Sequence, residues 1–173
     1  KSKIAVLSAR QENPQAKIQT QSGRSLNYFP TKKFRLSVDS AKVIQNGTVK
    51  PELVNQIVSQ LEWETGGNYI LKNSLMQLDM LANNDWNRPV YFAITVGSEA
   101  YLNLEDYFQL EGLAYRLVPI KTTNGNGQTG RVDTDIMYDN VMNKFRWGGM
   151  EGKVYMNETN MRMTYNLRNN FAR

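Results

Sequence analysis

The chain has 173 residues and contains neither cysteine nor histidine. That length supports one domain, or one domain with an appended arm, and 40% hydrophobic with 21% charged residues is the composition of a chain that buries a core. The two missing residue types exclude disulfides, thiolate nucleophiles, Cys- or His-based metal sites and every His-dependent triad, leaving Asp, Glu, Lys, Tyr, Ser and Thr for any chemistry.

The formal net charge of +5 is unevenly placed. Residues 1–50 carry ten Lys/Arg against Glu12 and Asp39, a net of +8, whereas residues 51–173 carry eleven against fourteen acids, a net of −3. Such a basic leading segment suits anionic lipid headgroups or nucleic acid, or forms an ordinary solvated face. Its cations are dispersed (Lys1, Lys3, Arg10, Lys17, Arg24) except at Lys32–Arg35, and no nucleic-acid-binding signature accompanies them, so nucleic acid is not an expected partner. The 19 Asn and 10 Gln make the surface polar without making it strongly charged. No run approaches the ~18 apolar residues of a transmembrane helix, and no signal peptide is visible. Opening at Lys1, the chain reads as a piece of a larger protein or a processed product.

In chain order, Ile4–Leu7 predicts a short element and then a loop to about residue 27. Phe34–Val38 alternates apolar and polar, as a half-buried strand does. Asn46-Gly47 predicts a turn between short strands at 42–44 and 48–49. Pro51 with Glu52 predicts a helix whose apolar face is Leu53, Val54, Ile57, Val58 and Leu61, ending at Gly66-Gly67. A second helix is expected over 69–82, with Leu71, Leu75, Leu78, Met80, Leu81 and Ala82 on its buried side. Val90–Val96 is apolar and β-branched, a central strand. A short helix follows at 104–109, and 113–120 is the next strand, adjacent and parallel to the first. After a glycine-rich loop at 124–130, Asp133 or Thr134 caps a helix carrying Ile136, Met137, Val141, Met142 and Phe145. Residues 154–156 suggest a short strand, and Asn157 or Thr159 caps a last helix over 161–172. The eight methionines are assigned mostly to core.

The expected fold is therefore α/β, with mixed α+β as the alternative: a small central sheet, partly parallel, flanked by helices. A polar arm over 1–27 precedes a single globular domain over 28–173. The apolar strand followed by Gly97-Ser98 and a short helix resembles a Rossmann-like corner. Without GxGxxG or GxxxxGK, no nucleotide or other cofactor is expected.

Candidate ligand-binding residues are Asp85, Trp86, Arg88, Tyr91, Glu99, Tyr101 and Arg116. Trp86 with flanking Asp85, Asn87 and Arg88 has the composition of a sugar-contacting loop. The alternative is a structural corner, with Trp86 capping the core and Arg88 pairing with Asp85 or a helix carbonyl. Glu99, Tyr101, Glu105 and Asp106 follow an expected central strand, where ligands of open α/β sheets gather. A carboxylate pair there suits acid–base work or cation binding, and equally suits the positive end of a helix. No catalytic or metal-ligating set is assigned. Asn46-Gly47-Thr48 and Asn157-Glu158-Thr159 fit the N-glycosylation pattern.

Three phrases carry a family resemblance: residues 78–93 (Leu-Asp-Met-Leu-Ala-Asn-Asn-Asp-Trp-Asn-Arg-Pro-Val-Tyr-Phe-Ala), 107–119 (Tyr-Phe-Gln-Leu-Glu-Gly-Leu-Ala-Tyr-Arg-Leu-Val-Pro) and 134–145 (Thr-Asp-Ile-Met-Tyr-Asp-Asn-Val-Met-Asn-Lys-Phe). In this order they resemble the soluble C-terminal region of domain-of-unknown-function family 2723. These are multi-pass, protein O-mannosyltransferase-like membrane proteins of Gram-negative bacteria. The resemblance covers about 28–173 and implies transmembrane helices N-terminal to this region, with a catalytic carboxylate in an early extracytoplasmic loop that has no counterpart here. It implies a periplasmic accessory domain that is not catalytic alone. The expected partners are the membrane core of the same polypeptide, a protein or glycan acceptor, and lipid headgroups for a juxtamembrane arm. Asp39-Ser40-Ala41 resembles the acceptor sequence of periplasmic O-glycosylation in some such bacteria. Two other readings stand beside this one: a free-standing glycan- or peptide-binding module using Trp86, and a carboxylate hydrolase using Glu99 with Glu105 or Asp106.

Overall fold

A computed structural model describes residues 17–19, 21–27, 32–66, 70–122, 128–150 and 152–172. The element expected at 4–7 and the centre of the glycine-rich loop, 123–127, lie outside these residues. The chain folds as two compact units, one of residues 1–88 with 98–103 and one of residues 89–97 with 104–173. Helices and strands are mixed throughout, and the largest sheet is partly parallel, as expected.

In the first unit, β1 (Lys17–Gln19) and β2 (Ser25–Asn27) form an antiparallel hairpin. A second pair, β3 (Lys33–Ser37) with β4 (Gln60–Glu64), is also antiparallel. Helix α1 (Ser40–Gln45) is capped by Asp39, whose carboxylate accepts from the Lys42 amide at 3.1 Å. Two expectations are corrected here. Residues 42–44 belong to α1 rather than to a strand, because the Asp39 cap satisfies the helix's first donors. The helix expected over 51–66 is a 3₁₀ turn, Pro51–Gln56, and then β4. Helical spacing at 53–61 loses to cross-strand pairing: Leu61 and Trp63 lie opposite Leu36 and Phe34, and the Phe34 and Trp63 rings stack at 5.6 Å. Helix α2 (Lys72–Asn84) buries Leu78 and Leu81. Met80 and Leu71, expected inside, are exposed, because Met80 lies off the face shared by Leu75, Leu78 and Leu81.

The second unit holds a four-stranded sheet in the order β5-β7-β6-β8. These strands are Tyr91–Ala93, Phe108–Leu110, Ala114–Leu117 and Arg131–Val132 for β5, β6, β7 and β8. Strands β5 and β7 are neighbours, as expected, but antiparallel; the parallel pair is β6 with β8. A parallel crossover needs a connection of a dozen or more residues, usually a helix, to carry the chain back to the same end of the sheet. The connection instead spends its length on two 3₁₀ turns (Ser98–Tyr101 and Glu105–Tyr107) and on β6. Those turns replace the expected 104–109 helix, so the Rossmann-like corner is absent.

One sheet face is apolar. Phe92, Tyr115, Leu110 and Val132 align across the four strands. Phe108 packs on the rings of Phe92 at 4.8 Å and Tyr115 at 5.4 Å. Gly130 has φ +60°, and a Cβ there would sit 2.2 Å from the Phe108 carbonyl oxygen, so only glycine allows the chain to enter β8 this closely.

Helix α3 (Thr134–Asp139) starts at Asp133, whose buried carboxylate accepts from the Ile136 amide at 3.0 Å. The chain then widens into a π turn, Asn140–Lys144, closed by the Phe145 amide on the Asn140 carbonyl at 2.8 Å. Residues 154–156 form no strand. Helix α4 (Glu158–Phe171) begins three residues earlier than expected, capped by Asn157 accepting from the Asn160 amide at 2.9 Å.

Candidate functional site

Asn84–Asn87 is a four-residue turn closed by the Asn87 amide on the Asn84 carbonyl at 2.9 Å. Asp85 and Trp86, its central residues, have φ +47° and +60°, the positive pair that a type I′ turn requires and that Asn-Gly usually supplies. Here side-chain bonds hold the strain. The Trp86 indole is 6% exposed and its Nε1 donates to the Ser37 carbonyl at 2.8 Å. Asn46 Nδ2 donates to the Trp86 carbonyl at 2.6 Å. Lys42 Nζ donates to the Asp85 carbonyl at 2.9 Å and to its carboxylate at 3.1 Å. Thus α1 and the end of β3 clamp the corner after α2. Arg88 is exposed, and its backbone exchanges hydrogen bonds with the Asn84 side chain. This is the geometry of a structural corner, with Lys42 as the cation facing Asp85.

Tyr91 and Arg116, the candidates from the second unit, do come together. They are register partners on β5 and β7, and Arg116 pairs in turn with Gln109 of β6, which pairs with Arg131 of β8. Residues paired in register share a face, so the sheet's second face carries a polar row across four strands. Its centre is Glu111, which sequence reasoning did not single out. The Glu111 carboxylate is 7% exposed. It accepts from Gln109 Nε2 at 2.9 Å and from the Tyr91 hydroxyl at 3.1 Å, and lies 3.6 Å from Arg116 Nη1. The Arg116 guanidinium sits 5.9 Å from the Tyr91 ring centroid, a cation–π contact. Asn140 Nδ2, from the π turn, donates to the Glu111 carbonyl at 2.7 Å. Gln109 and Glu111, two apart on one face, were the available signal; their neighbours across the sheet were not.

Burial, and next the Glu111 carboxylate, raise the Tyr91 phenol above its ordinary pKa. Tyr91 therefore stays a hydrogen-bond donor at neutral pH and is not a phenolate nucleophile. The row is a charge-paired layer whose carboxylate accepts two hydrogen bonds from its own sheet and faces Arg116.

Glu99 and Tyr101 lie on the 3₁₀ turn of the first unit, Glu99 exposed and Tyr101 buried. Glu105 and Asp106 lie in the second unit, where the Asp106 carbonyl accepts from the Thr122 amide at 2.7 Å. Among the described residues no group of three or more carboxylates is placed to hold a metal ion. Ser40 is exposed at the first position of α1, and its neighbour Asp39 is engaged in capping.

A third feature had no sequence signal. Leu113, Phe145, Arg146, Trp147, Gly148, Met150 and Leu167 line an open cleft of about 510 Å³ in the second unit. Phe145, Trp147 and Phe171 form a mutual ring cluster with centroids 5.8–6.2 Å apart. The methionines, assigned to core from sequence, mostly face outward: Met76, Met80, Met142, Met150, Met161 and Met163 are exposed. Helical spacing alone does not say which face of an element has a partner.

No helix among the described residues is long and apolar enough to cross a membrane. No curated protein and no solved structure matches the chain. The model of TMEM260-associated domain 2 matches residues 1–136, which include both two-stranded sheets, the Trp86 corner and the polar row. By that match the chain belongs to the TMEM260-associated domain 2 family, a domain linked to a family of membrane proteins.

Proposed function

We propose that this chain is a periplasmic accessory domain of a polytopic, glycosyltransferase-like membrane protein. It packs on the catalytic membrane core of the same polypeptide or positions a protein or glycan acceptor, and it performs no turnover alone. The observation that carries this reading is the family match over 1–136 to a domain linked to membrane proteins. Two features support it. The first 50 residues hold a net charge of +8, suited to a juxtamembrane position beside anionic headgroups. The Glu111 carboxylate is hydrogen-bonded and charge-paired within its own sheet, as in a scaffold.

The test is fractionation of native cells with an antibody to this domain, with protease added to spheroplasts. The expected antigen is membrane-bound, much larger than 19.9 kDa, and clipped from the periplasmic side. A soluble antigen near the mass of this chain would refute the accessory reading and put a free-standing binding module in its place. Sugar transfer by the isolated chain would refute the non-catalytic assignment.

A further inference from the structure

We propose that the cleft of the second unit is a docking site for a protein segment with an apolar anchor and acidic flanks. The cleft floor is built from three places in the chain: Leu113 beside β7, residues 145–150 after the π turn, and Leu167 of α4. The floor is held in place by close packing. Gly112 has φ +121°, and a Cβ there would stand 2.7 Å from Phe145 Cζ, so the missing side chain lets the Phe145 ring lie against the sheet turn. The π turn adds one residue to the helical ring and re-aims the chain immediately before Phe145. Such turns cost backbone stability and recur where a site depends on them.

Shape and charge together select the occupant. An open, mostly apolar space of about 510 Å³ is wide enough for a few side chains. Trp147, Met150 and Leu167 offer it polarizable and aromatic contact of the kind that anchors peptide side chains. Residues 138–173 hold six Lys/Arg against three acids. Two of those acids are already used: Asp139 pairs with Lys144 at 2.6 Å, and Glu158 with Arg162 at 3.0 Å. Arg146, in the cleft lining, is exposed and carries no ion pair among the described residues. An apolar groove with the Arg146 cation in its lining complements acids beside an apolar anchor. The proposal rests on the accessory reading only for which protein supplies the segment; the cleft's preference is separately measurable.

The probe is a labelled synthetic peptide with a Leu-Phe-Leu centre flanked by glutamates, compared with its lysine-flanked counterpart by fluorescence anisotropy on the full chain. Saturable binding of the acidic peptide is expected, at least tenfold tighter than the basic one and weakened by salt. Arg146→Glu should reverse the flank preference. Met150→Glu should weaken both peptides at least tenfold. Both positions are exposed, so circular dichroism and urea midpoints should stay as in the parent chain. Equal binding of the two peptides, no saturable binding, or binding unmoved by both substitutions would overturn the proposal. So would binding to phosphatidylglycerol vesicles that Met150→Glu and Arg146→Glu weaken while neither peptide binds, which would assign the face to a bilayer. A soluble native antigen with intact peptide binding would sink the accessory reading and leave the cleft assignment standing.

Discussion

Trp86 joins two costs that only its neighbours offset: a bulky side chain at positive φ and a buried indole N–H. Trp86→Phe keeps most of the packing but orphans the Ser37 carbonyl, and should lower stability by about 1–3 kcal/mol in urea denaturation. Trp86→Ala should cost about 3–5 kcal/mol. Glu111→Ala leaves the Arg116 guanidinium buried without its carboxylate, and should cost about 3–5 kcal/mol. If Glu111→Met is combined with Arg116→Met, much of that loss should return, because the desolvation of both charges disappears. Tyr91 sets an alkaline limit. Its folded pKa is raised, so its contribution is fully present below the unfolded value near ~10 and is lost as pH rises through the folded value. Tyr91→Phe should therefore flatten the fall in stability above about pH 10, measured as the difference from the parent so that the other tyrosines cancel. Of this residue-level picture, the unusual chemistry at Asp85-Trp86-Asn87-Arg88 was visible in sequence. Its clamp was not, because Lys42, Asn46 and Ser37 lie some 40–50 residues away in the chain.

Elements with local signals were the ones sequence located well. Asp133 and Asn157 cap the helices that follow them, and α2 occupies nearly its expected span, since capping and helical periodicity are properties of adjacent residues. The sequence of β4 reads as helix because the apolar spacing from Leu53 to Leu61 satisfies a helical period, and only β3 determines that it pairs as a strand. The orientation of β5 and β7 likewise depends on what the intervening chain does, and it turns rather than crossing over. Glycine positions test the sheet's tightest contact. Gly130→Ala must displace the Phe108 backbone and adopt a left-handed φ; a loss of about 2–4 kcal/mol is expected. Native-state hydrogen exchange should show it concentrated in β6 and β8.

At the scale of the whole molecule, charge and family membership point the same way. The basic leading segment predicts association with anionic vesicles: cosedimentation with phosphatidylglycerol should be strong in low salt, fall steeply as salt rises, and drop on deletion of residues 1–27. Neutral phosphatidylcholine vesicles should retain little of the chain. Salt-insensitive binding, or binding unchanged by the deletion, would move the contact elsewhere.

By itself the sequence determined the chemistry this protein lacks, the mixed α/β class, the capped helices and the charge asymmetry. Each of these is a property of composition or of neighbouring residues. Only the tertiary structure decided that Tyr91, Arg116, Gln109 and Glu111 form one polar layer around a buried carboxylate, that the Trp86 corner is clamped by α1 and β3, and that Phe145, Trp147 and Leu167 open a cleft. Those arrangements depend on strand register and on contacts between distant segments, and a one-residue slip in register would send every one of those sheet side chains to the opposite face.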